Sequence, residues 1–111
     1  MIKVYKENNQ SLQVNLEVSE ANLTNADEFK KEAMTLIGRG YKMIIMNLER
    51  VEYIDSSFLG ALVSILKHLI TLKSDLILVG LRKDVADLFT LIRLDKVFKI
   101  YPSFDDVPLN Y

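Results

Sequence analysis

A short apolar run followed by a helical pattern constrains the fold of this chain more than any other feature. Residues 43–48, Met-Ile-Ile-Met-Asn-Leu, have the length and composition of a buried strand. Beyond residue 58, apolar side chains recur every three or four positions, which is the spacing of an amphipathic helix. These side chains are Leu59, Leu62, Val63, Leu66, Leu69 and Ile70. A buried strand followed by such a helix is typical of an α/β fold.

The other segments alternate between strand and helix patterns in the same way. Two segments of alternating apolar and polar residues surround the turn-forming residues 8–11 and predict an N-terminal antiparallel hairpin. The predicted strands outside the central run are residues 2–6, 12–18, 76–79 and 97–101, and a further helix is predicted over residues 85–92. We therefore predict one α/β domain over residues 1–111, with a mixed, mostly parallel sheet, the hairpin at its edge, and three to four helices packed on it.

The start of the first helix is predicted from its capping residues. Asn25 is a suitable N-cap, and Glu28 three residues later would complete a capping box. Thr24 with Asp27 would serve nearly as well, so the pattern leaves the first helical residue open. We expect the helix to end at Gly38, because glycine favours the position after a helix C-terminus.

The composition argues against several classes of function. A net charge of −1, from 14 basic and 15 acidic residues, favours no nucleic-acid surface. One histidine and no cysteine leave no cluster of metal ligands, and there is no glycine-rich phosphate loop, so we expect neither a metal nor another cofactor. Lys67, His68 and Lys73 interrupt the longest apolar stretch, so we expect no membrane span. We expect a cytoplasmic protein, because the first residues lack the apolar core of a signal peptide.

Two neighbouring hydroxyls lie at the start of the second predicted helix. This helix is predicted from about Ser57 to Leu72, directly after Asp55 and Ser56. A serine here lies beside unpaired backbone N–H groups and the positive end of the helix dipole, which together would hold a phosphate. Serine is also a favoured N-cap residue, worth ~1 kcal/mol, and position alone favours that role. The two roles are compatible, since one serine can cap the helix and later accept a phosphate.

The order of these elements, with Asp55-Ser56-Ser57 between the third strand and the second helix, resembles the STAS domain of bacterial anti-sigma factor antagonists. Residues 85–89 and 94–100 are similar to the third helix and the last strand of that family. The resemblance covers nearly the whole chain and implies the STAS fold. It also implies a protein that is not an enzyme and acts by binding other proteins.

In that family, the serine directly after the aspartate is phosphorylated by a partner that is both a serine kinase and an anti-sigma factor. The resemblance therefore implies that Ser56 is the phosphorylation site. The unphosphorylated protein would bind this partner and release a sigma factor, and a serine phosphatase would restore that state. We expect a monomer or a weak homodimer.

The same resemblance implies a partner surface at the loop after the second strand and at the start of the second helix. Its residues would be Glu20, Asn22, Thr24, Asp55, Ser56, Ser57 and Phe58. Phe58 stands where the family usually has glycine, and two roles are open: a ring folded onto the sheet, or an exposed anchor for the partner. Ser57 would be the helix cap or a secondary contact. Gly60 predicts that the helix approaches a neighbouring element closely, because it has no side chain.

Two other functions fit parts of the pattern. Within the same fold, the chain could dock permanently as an adaptor subunit of a transporter or a stress-sensing complex, without phosphorylation. The chain could also be a small hydrolase or nucleotide-binding enzyme using Ser56 or Ser57, and a hydrolase would need a histidine within hydrogen-bond reach. His68, the one histidine of the chain, lies twelve residues farther along the same predicted helix, about 18 Å away. The pattern therefore argues against a catalytic serine–histidine pair.

Overall fold

The structure, a computed structural model, describes residues 1–108. The strands are β1 (Ile2–Glu7), β2 (Ser11–Leu16), β3 (Glu20–Ala21), β4 (Met43–Asn47), β5 (Tyr53–Ile54), β6 (Asp75–Val79) and β7 (Lys99–Tyr101). The helices are α1 (Leu23–Ile37), α2 (Ser56–Thr71) and α3 (Lys83–Leu91), and short 3₁₀ turns occupy Leu94–Lys96 and Phe104–Asp106.

Five strands form one mixed sheet in the order β1-β2-β4-β6-β7. The pair β1–β2 is antiparallel, whereas β2–β4, β4–β6 and β6–β7 are parallel. The parallel strands are joined through helices, which is the usual connection in such sheets. The predicted fold, a mostly parallel sheet with an antiparallel N-terminal hairpin at its edge and helices packed on it, is confirmed.

The two faces of the sheet are covered differently. On one face, side chains from β2, β4 and β6 pack with all three helices in a large apolar cluster. On the other face, Ile45, Ile77 and Val79 are covered by Val107, which follows the last strand. Because β4 and β6 are buried on both faces, they are continuous apolar runs. None of the helices in residues 1–108 has the length and apolar character needed to cross a membrane.

A second, two-stranded sheet was not predicted. In it β3 and β5 pair in parallel, with Glu20 opposite Tyr53 and Ala21 opposite Ile54. The Asp55 amide N–H also donates to the Ala21 carbonyl at 2.9 Å. Since β3 leads into α1 and β5 leads into α2, this small sheet sets the first turns of the two helices side by side.

The predicted start of the first helix is wrong. The N-cap of α1 is Asn22, whose Oδ1 accepts from the Thr24 amide at 3.0 Å. Asn25 is the reciprocal partner, since its Oδ1 accepts from the Asn22 amide at 2.9 Å. Neither the Asn25–Glu28 box nor the Thr24–Asp27 alternative forms. Strand β3 ends at Ala21, so Asn22 is the first residue in position to cap.

Candidate functional site

The two serines lie in the first turn of α2, but neither caps it. Ser56 is the first helical residue and is exposed, and Ser57 is half-buried. Within residues 1–108, neither hydroxyl makes a hydrogen bond, and the backbone N–H groups of both serines have no acceptor. The cap role predicted for Ser57 is therefore wrong, because the helix begins one residue earlier than expected.

Asp55 caps α2 and also holds the start of α1. Its Oδ1 accepts from the Phe58 amide at 3.0 Å, and its Oδ2 accepts from the Leu23 amide at 2.9 Å. One carboxylate thus satisfies free N–H groups at two helix N-termini, where the helix dipoles also favour negative charge. This bridge fixes the position of Ser56 relative to α1.

Phe58 belongs to the core and not to the surface. Its side chain is fully buried and stacks on Phe29 of α1, with ring centroids 4.4 Å apart. The hypothesis that Phe58 is an exposed partner anchor is therefore wrong, and the ring instead packs α1 against α2. It closes the space between the two helices just beneath the first turn that carries Ser56.

The other predicted partner residues lie at the same junction. Glu20 is exposed in β3, and Thr24 is exposed in the first turn of α1. The Asn22 side chain is committed to the cap, since its Oδ1 accepts from both the amide and the hydroxyl of Thr24. The fold thus brings residues 20–24 beside Asp55 and Ser56.

Two exposed apolar residues beside Ser56 were missed by the sequence analysis. Leu23 is 72% exposed at the start of α1, and Tyr53 is 56% exposed in β5. The alternation of side chains along a strand could have identified Tyr53, because its neighbour Ile54 is buried on the opposite side. No sequence pattern indicated that Leu23 is exposed, because the predicted helix began after Leu23 and so did not include it.

The surface around Ser56 is acidic. Exposed carboxylates at this edge of the sheet come from Glu20, Glu49, Glu52 and Asp84. Two arginines lie near these acids: Arg50 pairs with Glu17 at 3.6 Å, and Arg82 donates to the Glu49 carbonyl at 2.8 Å and lines a shallow pocket with Glu52 and Asp84. Lys83 donates to Asp87 at 2.9 Å, and this hydrogen bond is the main cause that raises the pKa of Lys83.

Gly60 and His68 show what the rest of α2 contributes. Gly60, one turn after Ser56, is exposed, and a Cβ built on it would meet nothing within 4 Å. The close helix approach predicted there is wrong, and the glycine leaves bare helix surface beside Ser56. His68 is exposed in the last turn of the continuous helix α2, at the end opposite Ser56.

Comparison with known proteins relates this geometry to a family. A family model described as the STAS domain matches residues 6–107. Proteins of Thermotoga maritima and Thermotoga neapolitana, both named "Putative anti-sigma factor antagonist", are 35% and 34% identical over 88 residues, which is 78% of each chain. A crystal structure of the Thermotoga maritima protein superposes with a TM-score of 0.77 at 33% identity, covering 85% of this chain and 82% of that chain. The chain therefore belongs to the STAS domain family, together with relatives named as anti-sigma factor antagonists.

Proposed function

We propose that this protein is an anti-sigma factor antagonist that is switched by phosphorylation of Ser56. In its unphosphorylated form it binds a partner that is both a serine kinase and an anti-sigma factor, and so releases a sigma factor. One observation carries the proposal: the Ser56 hydroxyl is exposed and makes no hydrogen bond within residues 1–108. The protein acts in the cytoplasm, by binding and not by catalysis.

The first turn of α2 supports a phosphate on Ser56. In the transfer, the Ser56 oxygen bonds to the terminal phosphorus of ATP, ADP leaves, and the hydroxyl proton passes to the kinase or solvent. The free N–H groups of Ser56 and Ser57 are available to the new anion. The helix dipole adds a favourable ~0.3–1 kcal/mol, so the domain stays folded after modification. A serine phosphatase reverses the step by hydrolysis.

The switch acts on the partner surface. The phosphate adds roughly −1.5 to −2 charge to an edge that already carries Glu20, Glu49 and Glu52. A partner that binds this acidic edge flush is then excluded by the bulk of the phosphate and by the cost of desolvating its charge. A loss of ~3 kcal/mol of binding free energy weakens the complex more than a hundredfold.

The test uses the serine kinase encoded nearest to this gene, with ATP, followed by intact mass measurement. We expect one phosphate on the parent protein and on the matched control Ser57→Ala, and none on Ser56→Ala. Calorimetry should then show that the phosphorylated protein binds the kinase at least a hundredfold more weakly. Equal binding of both forms would refute the switch, and binding without any phosphorylation would support a permanent adaptor role.

A further inference from the structure

Two apolar side chains flank the phosphorylation site proposed above without any covering element. Leu23 and Tyr53 are 72% and 56% exposed, and each lies close to Asp55, the residue before Ser56. The Leu23 amide donates to the Asp55 carboxylate at 2.9 Å, and Tyr53 precedes Asp55 by two positions in the chain. Any protein that covers the Ser56 hydroxyl therefore meets these two side chains.

Both side chains stand on rigid backbone. The Leu23 amide is fixed by Asp55 at the capped start of α1. The Tyr53 amide donates to the Ser19 carbonyl at 3.1 Å, and its strand pairs with Glu20. Anchors that are already ordered in the free protein lose little conformational entropy on binding, and tyrosine has few rotatable bonds to immobilise.

The charges around the anchors define the complementary surface. Glu20 is the parallel-strand neighbour of Tyr53, and Glu52 directly precedes it. Both carboxylates are exposed, and neither forms an ion pair within the described part of the chain. An arginine or lysine of a partner could pair with these acids and lie against the exposed tyrosine ring.

The surface beyond Ser56 leaves room for close approach. Gly60 is one turn farther along α2, on the same side of the helix as Ser56, and its missing side chain leaves open space. A partner's main chain can therefore reach the hydroxyl from the α2 side, while Leu23 and Tyr53 hold it from the other two elements.

We infer that Leu23 and Tyr53 are the apolar anchors of the partner complex, and that the partner offers an apolar recess bordered by arginine or lysine. This inference rests on the proposed function, because it defines how the same kinase recognises this chain. Leu23 lies within the loop that the family resemblance implies as partner surface, but it is not among the residues predicted there, and Tyr53 lies outside that surface.

The test measures kinase binding to Leu23→Ala and Tyr53→Ala in the absence of ATP. We expect each variant to weaken binding about tenfold to thirtyfold, as exposed anchors do, with an unchanged unfolding midpoint. Leu91→Ala is the matched control, because Leu91 is 78% exposed on α3, and it should bind like the parent. Parent-like binding by both variants, or an equal loss in the control, would overturn the inference.

A charge variant tests the chemistry expected of the partner. Glu52→Lys should slow association with the kinase at low salt and lower the salt dependence of the association rate, because a steering carboxylate has been reversed. An unchanged association rate would contradict the basic border of the recess. If the parent protein neither binds the kinase nor is phosphorylated, the proposed function fails. If the parent protein does both, and the variants bind the kinase as tightly as the parent, only the inference about the anchors is wrong.

Discussion

The two ends of α2 satisfy their free backbone groups in different ways. At the first end, a side chain does so, since Asp55 accepts from the Phe58 amide and reaches across to the Leu23 amide. At the last end, the backbone closes on itself: the Ser74 amide donates to the Leu69 carbonyl at 2.8 Å and the Lys73 amide to the Ile70 carbonyl at 3.0 Å. The first end therefore keeps unused donors at two serines, whereas the last end uses its carbonyls internally.

The two ends also carry opposite charge. Carboxylates of Glu52 and Asp55 lie by the first turn, and Lys67 and Lys73 lie in or after the last turns. Each sign matches the helix dipole at its end. The chain has a net charge of only −1, yet its surface at Ser56 is acidic. A phosphate on Ser56 would therefore add to a local negative charge that the net charge does not reveal.

The largest expected difference between the ends concerns packing. Phe58→Ala removes a fully buried ring that stacks on Phe29, and we expect a loss of about 3–5 kcal/mol in the free energy of unfolding. The control at the other end is Ile70→Ala, where the side chain is 58% exposed and the loss should stay below about 1 kcal/mol. Urea titration measures both, and similar losses would remove the difference in packing between the two ends.

The next effect tests the side-chain cap. Asp55→Ala removes the acceptor of two helix N-termini, and we expect a loss of about 2 kcal/mol, or ~1 kcal/mol for each cap. Asp55→Asn is the matched variant, because its single oxygen can accept at only one of the two positions, and it should lose about half as much. Thermal or urea unfolding reports both values. An Asn variant as unstable as the Ala variant would argue against the bridge.

The backbone closure at the other end predicts a gain in stability. Lys73 has a φ of +58°, in the left-handed region that costs a residue with a side chain roughly 1 kcal/mol and glycine almost nothing. We therefore expect Lys73→Gly to raise the free energy of unfolding by about 1 kcal/mol. Lys67→Gly, inside the helix, is the control and should lower stability by a similar amount. If Lys73→Gly also lowered the free energy of unfolding, the proposed cost of the left-handed conformation at Lys73 would be wrong.

The smallest expected change in the free energy of unfolding is for a substitution at Gly60, one turn after Ser56. Gly60→Ala should raise the free energy of unfolding by about 0.5–1 kcal/mol, because alanine favours a helix interior and the added Cβ meets nothing within 4 Å. Gly80→Ala is the contrasting control: the φ of Gly80 is +70° and an added Cβ would overlap Asn47 Oδ1, so this variant should be less stable. A loss of stability in Gly60→Ala would mean that this face of α2 is packed and unavailable to a partner.

Local patterns predicted the elements but not how their ends meet. The strands around Ile45 and Ile77 and the helix over residues 59–70 were evident, because buried runs and helical spacing are properties of neighbouring residues. The cap of α1 was misplaced because β3 pairs with β5, and a two-residue strand leaves almost no pattern. The local pattern left both roles of Phe58 open, because the ring that covers it belongs to Phe29, 29 positions earlier in the chain.

The sequence by itself determined the order of strands and helices, the hairpin, and the placement of a serine pair at the start of a helix. Periodicity and turn residues suffice for these features, because they depend on near neighbours. Only the tertiary structure decided that Asp55 spans two helices, that Phe58 faces inward, and that Leu23 and Tyr53 stand exposed beside Ser56. These features join residues about thirty positions apart, and contacts at that separation arise from packing, which no local pattern records.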